Sequence, residues 1–258
     1  MNIQWYPGHM TKTRRMIAAE IGHMDAVCEI LDARIPLASR NPDVDELTAG
    51  KPRLVVLNRV DQADPEATKQ WAAYFRAKGY AVLESDAKGG QGTAKFAGAV
   101  RELLAEKVRA YAEKGQNRVL RVMILGIPNV GKSTFINKVA GRKTAKTEDR
   151  PGVTRSKQWV PIDKGLELLD TPGILWPKFE DSSVGFALAA TGAIKEDVFD
   201  RRDAVELLLD FLLSKYPEYL ASKYAVEITE GETGQTVMTK MAAARGCLKA
   251  GGMLDMDK

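Results

Sequence analysis

The sequence has few cysteines, and the two it has are poorly placed for a shared task. Cys28 lies in an apolar run and Cys247 near the end, a spacing that fits neither a zinc site nor a disulfide framework. Long apolar runs are absent too: none approaches the roughly 20 residues that span a bilayer, which argues against a membrane-embedded protein. The opening residues MNIQWYPGHMTKTRR lack the apolar stretch of a secretory signal, and Asn2 stands where N-myristoylation needs glycine. A cytoplasmic location is expected. There is no internal repeat and no low-complexity segment. The net charge of +4 permits a polyanionic partner but lacks the dense basic stripes of dedicated nucleic-acid binders. What is present is the composition of a folded chain, 45% apolar and 28% charged over 258 residues, long enough for one domain of ordinary size with a smaller one appended.

Periodicity supplies the elements. From Thr11 to Met24 an apolar stripe of Ile17, Ala18, Ile21 and Met24 alternates with Lys12, Arg14 and Arg15, which predicts an amphipathic helix with one basic face. Ala26 to Leu31 and Leu54 to Leu57 are short Val/Ile/Leu runs that read as buried parallel strands. A helix is expected to start at Asp64 and Pro65 and stop at Gly79, followed by a strand from Tyr80 to Leu83. Thr93 to Glu113 reads as one long helix, turning polar over Lys114 to Asn117 as a linker. Arg121 to Leu125 reads as a strand, Lys132 to Val139 as a helix, and Gln158 to Ile162 with Leu166 to Leu169 as a hairpin turning at Asp163 to Gly165. From about Phe179 the strand signal fades, and Asp203 to Lys215 is strongly helical before Pro217.

Chemistry enters with Gly126 to Ser133, GIPNVGKS, which fits G-x-x-x-x-G-K-[ST] and sits between a strand and a helix, where a phosphate-binding loop belongs. Its backbone N–H groups and the helix N-terminus can converge on phosphate oxygens. Lys132 adds charge toward the β- and γ-phosphates, and Ser133 offers a hydroxyl to Mg²⁺. Nucleotide contact is therefore assigned to Asn129, Val130, Gly131, Lys132, Ser133 and Thr134. DTPG, Asp170 to Gly173, ends the next apolar strand pair: Asp170 can reach Mg²⁺ and Gly173 can present its N–H to the γ-phosphate. Alone it would equally be a type I turn; downstream of a P-loop it gains weight. Between them Thr154 is the candidate switch threonine on Mg²⁺, with Thr147 as the competing choice.

Base identity comes from NRVD, Asn58 to Asp61, at the end of a strand. Asp61 can accept from two donors of guanine that adenine does not present, Asn58 can tie down neighbouring loop backbone, and Arg59 replaces the lysine of the N-K-x-D pattern, with a planar head able to stack. After the next helix and strand comes SDAKGGQG, in which Ser85, Asp86, Ala87 and Lys88 resemble the S-A-K-x-G loop whose amide reads guanine O6. Both base-reading elements precede the P-loop, the reverse of the usual order.

These motifs, with WYPGHM at Trp5 to Met10, DARIPLASRNP at Asp32 to Pro42 and VGFALAATGAI at Val184 to Ile194, resemble the ribosome biogenesis GTPase A family of circularly permuted P-loop GTPases. The likeness covers nearly the whole length. It implies an α/β fold, a mostly parallel P-loop GTPase sheet flanked by helices, over residues 1–178 with the N-terminal arm and helix in 1–24, and a small all-helical domain over 179–258. It further implies GTP hydrolysis to GDP and phosphate with Mg²⁺, stimulation by K⁺ held at Asn129, and the large (50S) ribosomal subunit as partner through rRNA and ribosomal proteins. A monomer away from the ribosome is expected, with no DNA or membrane partner.

Ile174 stands where many small GTPases carry the water-orienting glutamine. The resemblance marks His9 for that task; packing or RNA contact is the alternative reading of His9. On the same grounds Arg34, Ser39 and Arg40 fall near the switch region or RNA, or in a solvated basic loop. Relatives continue beyond Gly251 and Gly252 with a further helix and basic tail, so the helical domain is expected to be short or truncated. Two rivals stand beside the GTPase reading: an RNA-binding placeholder that keeps GTP as a structural ligand, and a P-loop kinase or ATPase in which NRVD is accidental.

Overall fold

Strands form where Val, Ile and Leu run without polar interruption. In the computed structural model, which describes residues 8–142, 157–175, 181–194, 199–250 and 253–255 (of residues 8–10 the backbone only), six strands make one sheet. They are β1 (Ala26–Asp32), β2 (Arg53–Asn58), β3 (Ala81–Ser85), β4 (Leu120–Leu125), β5 (Gln158–Asp163) and β6 (Leu166–Asp170), in the order β3-β2-β1-β4-β6-β5. All neighbours are parallel except β5 and β6. Every residue of β1 and β2 is buried, as expected of strands covered on both faces. The edge strand β5 is mostly exposed and holds Pro161, which an edge tolerates because no ladder bond is needed on its outer side.

Helices α1 (Gly8–Glu20), α2 (Asp43–Leu47) and α3 (Pro65–Ala77) cover one face. Ile17 of α1 and Val44 of α2 pack with Val27, Met123, Leu125, Leu169 and Ile174, and Ala72 and Phe75 of α3 pack with Leu31, Val55 and Leu57. Val27 and Leu31 are an even number of residues apart on one strand, so both clusters share a face. Helix α3 starts as its sequence dictates, with Asp64 accepting from the Ala67 amide and Pro65 in the first turn. The opposite face carries α4 (Phe96–Leu103) and α6 (Lys132–Ala140), joined by an edge-to-face pair of Phe96 and Phe135, both fully buried.

Several elements differ from the sequence reading. Helix α1 ends at Glu20, with a 3₁₀ turn from Ile21 to His23. The expected long helix is a 3₁₀ turn at Thr93–Lys95, then α4, then α5 (Ala105–Glu113), broken at Leu104. Leu104 is 3% exposed; the sheet side of α4 is apolar whereas α5 has no buried residue, so the two parts cannot share one straight stripe. Helix α2, with Asp43, Asp45 and Glu46 in five residues, has no apolar period to betray it.

The chain divides into two compact units, the second beginning at Asp181. In that unit α7 (Ser182–Ala190), α8 (Arg201–Lys215), α9 (Pro217–Tyr224) and α10 (Gly234–Ala244) are the described regular elements. Leu209, Leu220, Val237 and Met238 form its core. Asp200 caps α8 through the Arg202 and Asp203 amides, and Thr233 and Thr236 cap α10 reciprocally. No helix among the described residues is long and apolar enough to cross a membrane.

Candidate nucleotide site

Register brings the motifs together. Asp32 of β1 pairs with Asn58 of β2, and Asn58 with Ser85 of β3, so three strand ends lie in one row. Across β1, strand β4 feeds the loop Gly126–Gly131, and Asp170 of β6 sits beside Ile124 of β4. The chain runs outward from β1 to β3 and then returns to β4 on the other side of β1. Open parallel sheets bind ligands at such a reversal, at the carboxyl ends of the strands.

Asn58 joins the two halves of the site. Its side chain, 2% exposed, donates Nδ2 to the Val130 carbonyl at 2.8 Å, while its Oδ1 accepts the Ala87 amide at 3.1 Å. One amide group therefore links the P-loop, NRVD and the SDAK loop. Gly131, with φ +91, is a glycine for this reason: a Cβ there would collide with Asn58 Nδ2. Asp86 Oδ1 accepts from the Lys88 and Gly89 amides, an Asx turn that shapes the loop. Ser85 is fully buried and donates Oγ to the Gln91 carbonyl, a supporting position behind the loop. Asp61 and Lys88 are exposed at the mouth.

Arg59 does not lie as a free planar stack. It adopts a left-handed backbone, φ +66, and its Nη2 donates to the Asn129 carbonyl at 2.8 Å. Asn129 is itself left-handed, φ +59. The guanidinium thus ties NRVD to the P-loop, which strand pairing made possible and sequence spacing did not reveal.

The phosphate side is built around a buried pair. Lys132 is 6% exposed, and its Nζ donates to the carbonyls of Gly126 (3.0 Å) and Ile127 (2.8 Å). Burial pulls its ammonium down to about 8, against the opposing pull of Asp170. Burial likewise pushes the Asp170 carboxyl up to about 6, with Lys132 opposing. Asp170 Oδ1 is buried with no hydrogen-bond partner, a costly state for a carboxylate and one that a hard divalent cation relieves. No group of three or more His, Cys, Asp or Glu side chains suited to a metal occurs among the described residues. Mg²⁺ in phosphate sites is held by one or two protein oxygens together with the substrate's phosphates, and Asp170 Oδ1 is an oxygen of that kind.

The DTPG segment is latched onto the P-loop strand. Thr171 Oγ1 donates to the Ile124 carbonyl at 2.7 Å, and the Ile174 amide to Gly126 at 3.2 Å. A Cβ on Gly173 would lie 2.7 Å from the Pro128 nitrogen, so only glycine allows this approach. Ile174 is 3% exposed inside the α1 and α2 cluster and points no polar group toward the site.

Ser133 and Thr134 fall in the first turn of α6. His9 lies in the first turn of α1, but its side chain is outside the described residues, as are Thr154 and Thr147 entirely. The DARIPLASRNP loop is not a solvated basic loop. Ser39 is fully buried, and Arg40 contacts Glu29, Asp45 and Tyr80. Asp32, to which the sequence reading gives no role, lies in the row of strand ends with Arg34 and Arg59 about it. The one signal available was a carboxylate closing an apolar strand.

A P-loop after β4, DTPG after β6 and NRVD after β2, on a sheet of this order, define a P-loop GTPase whose base-reading half comes first in the chain. The model for the family described as 50S ribosome-binding GTPase matches residues 121–235, starting at β4 and so excluding NRVD. Curated relatives named ribosome biogenesis GTPase A are 49% identical in Priestia megaterium, over all of this chain and 90% of the relative, and 50% identical in Bacillus cereus, over all of this chain and 87% of the relative. A crystal structure of GNP-bound YlqF from Thermotoga maritima is similar with a TM-score of 0.62 at 26% identity, covering 95% of this chain and 88% of that one. The chain belongs to the ribosome biogenesis GTPase A family, and it is a GTPase that uses GTP, GDP and Mg²⁺.

Proposed function

We propose that the GTPase cycle of this chain serves assembly of the large ribosomal subunit in the cytoplasm, with nucleotide held between the P-loop and the two base-reading loops. The observation that carries the site is Asn58, whose single amide group binds both the P-loop at Val130 and the SDAK loop at Ala87. Phosphate reading and base reading are thereby coupled. Asn129, Val130, Gly131, Lys132, Ser133 and Thr134 take the phosphates, and Asp61 with the Ala87 and Lys88 segment takes guanine. Ser133, Asp170 and Thr154 hold Mg²⁺, an assignment supported by the unpartnered Asp170 oxygen.

Hydrolysis needs a group to orient water, and Ile174 cannot supply it because it is aliphatic and buried. His9 fills that role on the subunit, and K⁺ at Asn129 supplies charge that an arginine finger supplies elsewhere. Partner names support the large subunit: the matching family is described as 50S ribosome-binding. Off the ribosome the chain is a monomer. The test is GTP turnover with and without large subunits, in K⁺ and in Na⁺. Turnover rises at least tenfold with subunits in K⁺, a fall of about 1.4 kcal/mol in the barrier, and His9→Ala loses that acceleration. Equal rates in the two salts would remove the K⁺ role, and no response to subunits would remove the partner.

A further inference from the structure

The nucleotide reading gives no role to a charged cluster at the end of β1. Strand β1 ends on Asp32 where the strand order reverses, between the strand that leads into Asn58 to Asp61 and the strand that feeds the P-loop. The Asp32 side chain is 4% exposed and meets two arginines. Arg34 grips it as a fork, Nε on Oδ1 at 2.9 Å and Nη2 on Oδ2 at 2.6 Å. Arg59 brings its Nε within 3.7 Å of the same Oδ2 and sends Nη2 to the Asn129 carbonyl at 2.8 Å. Behind them the Asp32 amide donates to Ser39 Oγ at 3.0 Å, and Ser39 donates to the Pro36 carbonyl. The carboxylate is thus fixed from both its backbone and its head.

This arrangement answers why an arginine can stand where the common guanine motif has lysine. An ammonium donates to a carbonyl in any rotation of its three hydrogens, whereas a guanidinium donates only in its plane and must be oriented. The carboxylate facing the Nε edge of Arg59 sets that plane and leaves Nη2 aimed at Asn129. It also supplies the counter-charge that two neighbouring, half-buried guanidinium groups need.

We propose that Asp32 is a positioning residue for nucleotide binding, which holds Arg59 on the P-loop carbonyl of Asn129 and so keeps the loop in its phosphate-binding shape. The inference rests on the nucleotide reading above. Because it acts on the loop and not on the γ-phosphate, GDP and GTP are affected alike.

The test is a double-mutant cycle on the full chain, with binding of fluorescent GDP and GTP analogues to wild type, Asp32→Asn, Arg59→Lys and the double variant. Asp32→Asn weakens both nucleotides about threefold to tenfold, the scale of one partly buried ion pair. In the Arg59→Lys background, where no plane has to be set, the same change costs less than about twofold by that scale. Equal losses in both backgrounds, or no loss in either, overturn the proposal. A wild-type chain that binds neither nucleotide would instead sink the nucleotide reading itself. Melting of the nucleotide-free proteins identifies a folding defect; should Asp32→Asn not fold, Asp32→Glu, which keeps the charge but displaces it by a methylene, takes its place in the cycle with the same two outcomes.

Discussion

Asp170 holds a carboxylate oxygen in the interior with nothing to bond to, and this has two consequences of opposite sign. Burial lifts its carboxyl from 3.8 to about 6, so between about pH 4 and pH 6 the folded, nucleotide-free chain binds a proton that the unfolded chain has lost. Its contribution to stability is therefore best in acid and falls as pH rises through 6. At pH 7 the charge costs about 1 to 3 kcal/mol. Asp170→Asn is expected to melt a few degrees higher than wild type at pH 7 without nucleotide, and to lose Mg²⁺-dependent GTP turnover by more than about a hundredfold. Thermal melting and turnover at pH 7 check both halves. In the wild type, Mg²⁺-dependent GTP binding should decline below pH 6, because the cation needs the carboxylate and competes with the proton. A mutant that melts lower, or a binding profile flat down to pH 5, would contradict this account. Lys132, Asp170, Asn58 and Gly173 were legible in the sequence because each occupies a fixed place in a short motif whose spacing is set by backbone geometry. The partnership of Asp32 with Arg59 was not, since it runs between adjacent strands whose pairing no local pattern states.

Between residue and fold stands the segment that leaves β6. Its amide and carbonyl at Ile174 are both held, by Gly126 and by Asn41 Nδ2 at 3.4 Å, and its side chain is packed with Ile17, Val27, Val44, Met123 and Leu125. The place that carries glutamine in small GTPases is here a packing position under α1 and α2. Ile174→Gln is therefore expected to leave GTP turnover unraised and to destabilise the chain by about 1 to 3 kcal/mol, the cost of burying an amide among apolar groups. Urea denaturation and turnover are the measurements; a faster enzyme of unchanged stability would show that the segment can turn its side chain toward the nucleotide. Strands and the capped helices could be read in advance, since Val/Ile/Leu runs and Asp-Pro starts act locally. The break at Leu104 and the short helix α2 could not, because contact with the sheet decides the first and five mostly polar residues conceal the second.

At the scale of the molecule, all nucleotide motifs lie before residue 181, where the second compact unit begins. A chain ending at Glu180 is expected to retain GDP binding within about threefold of the full protein, less than 1 kcal/mol, as measured by fluorescence titration. Loss of binding would show that the helical unit completes the site. The parallel sheet with helices on both faces was foreseeable from the alternation of runs. Its strand order was not, because which strand borders β1 on its far side is decided by pairing across the sheet, which the alternation of runs does not state.

That strand order also dictates a history. A chain grows from its N-terminus, so β1, β2 and β3 emerge together, while the strand that borders β1 on its other side follows only after the 34 residues of turn, helix and loop over 86–119. During that interval the innermost strand of the finished sheet is an outer one, with its N–H and C=O groups open to any passing strand. An ordinary motif order would lay down the phosphate-binding strand first. Here the newborn protein carries its base-reading half early and its most vulnerable edge in what will become its centre; arrival of β4 covers that edge and brings the P-loop beside the base-reading loops, and β6 follows with Asp170.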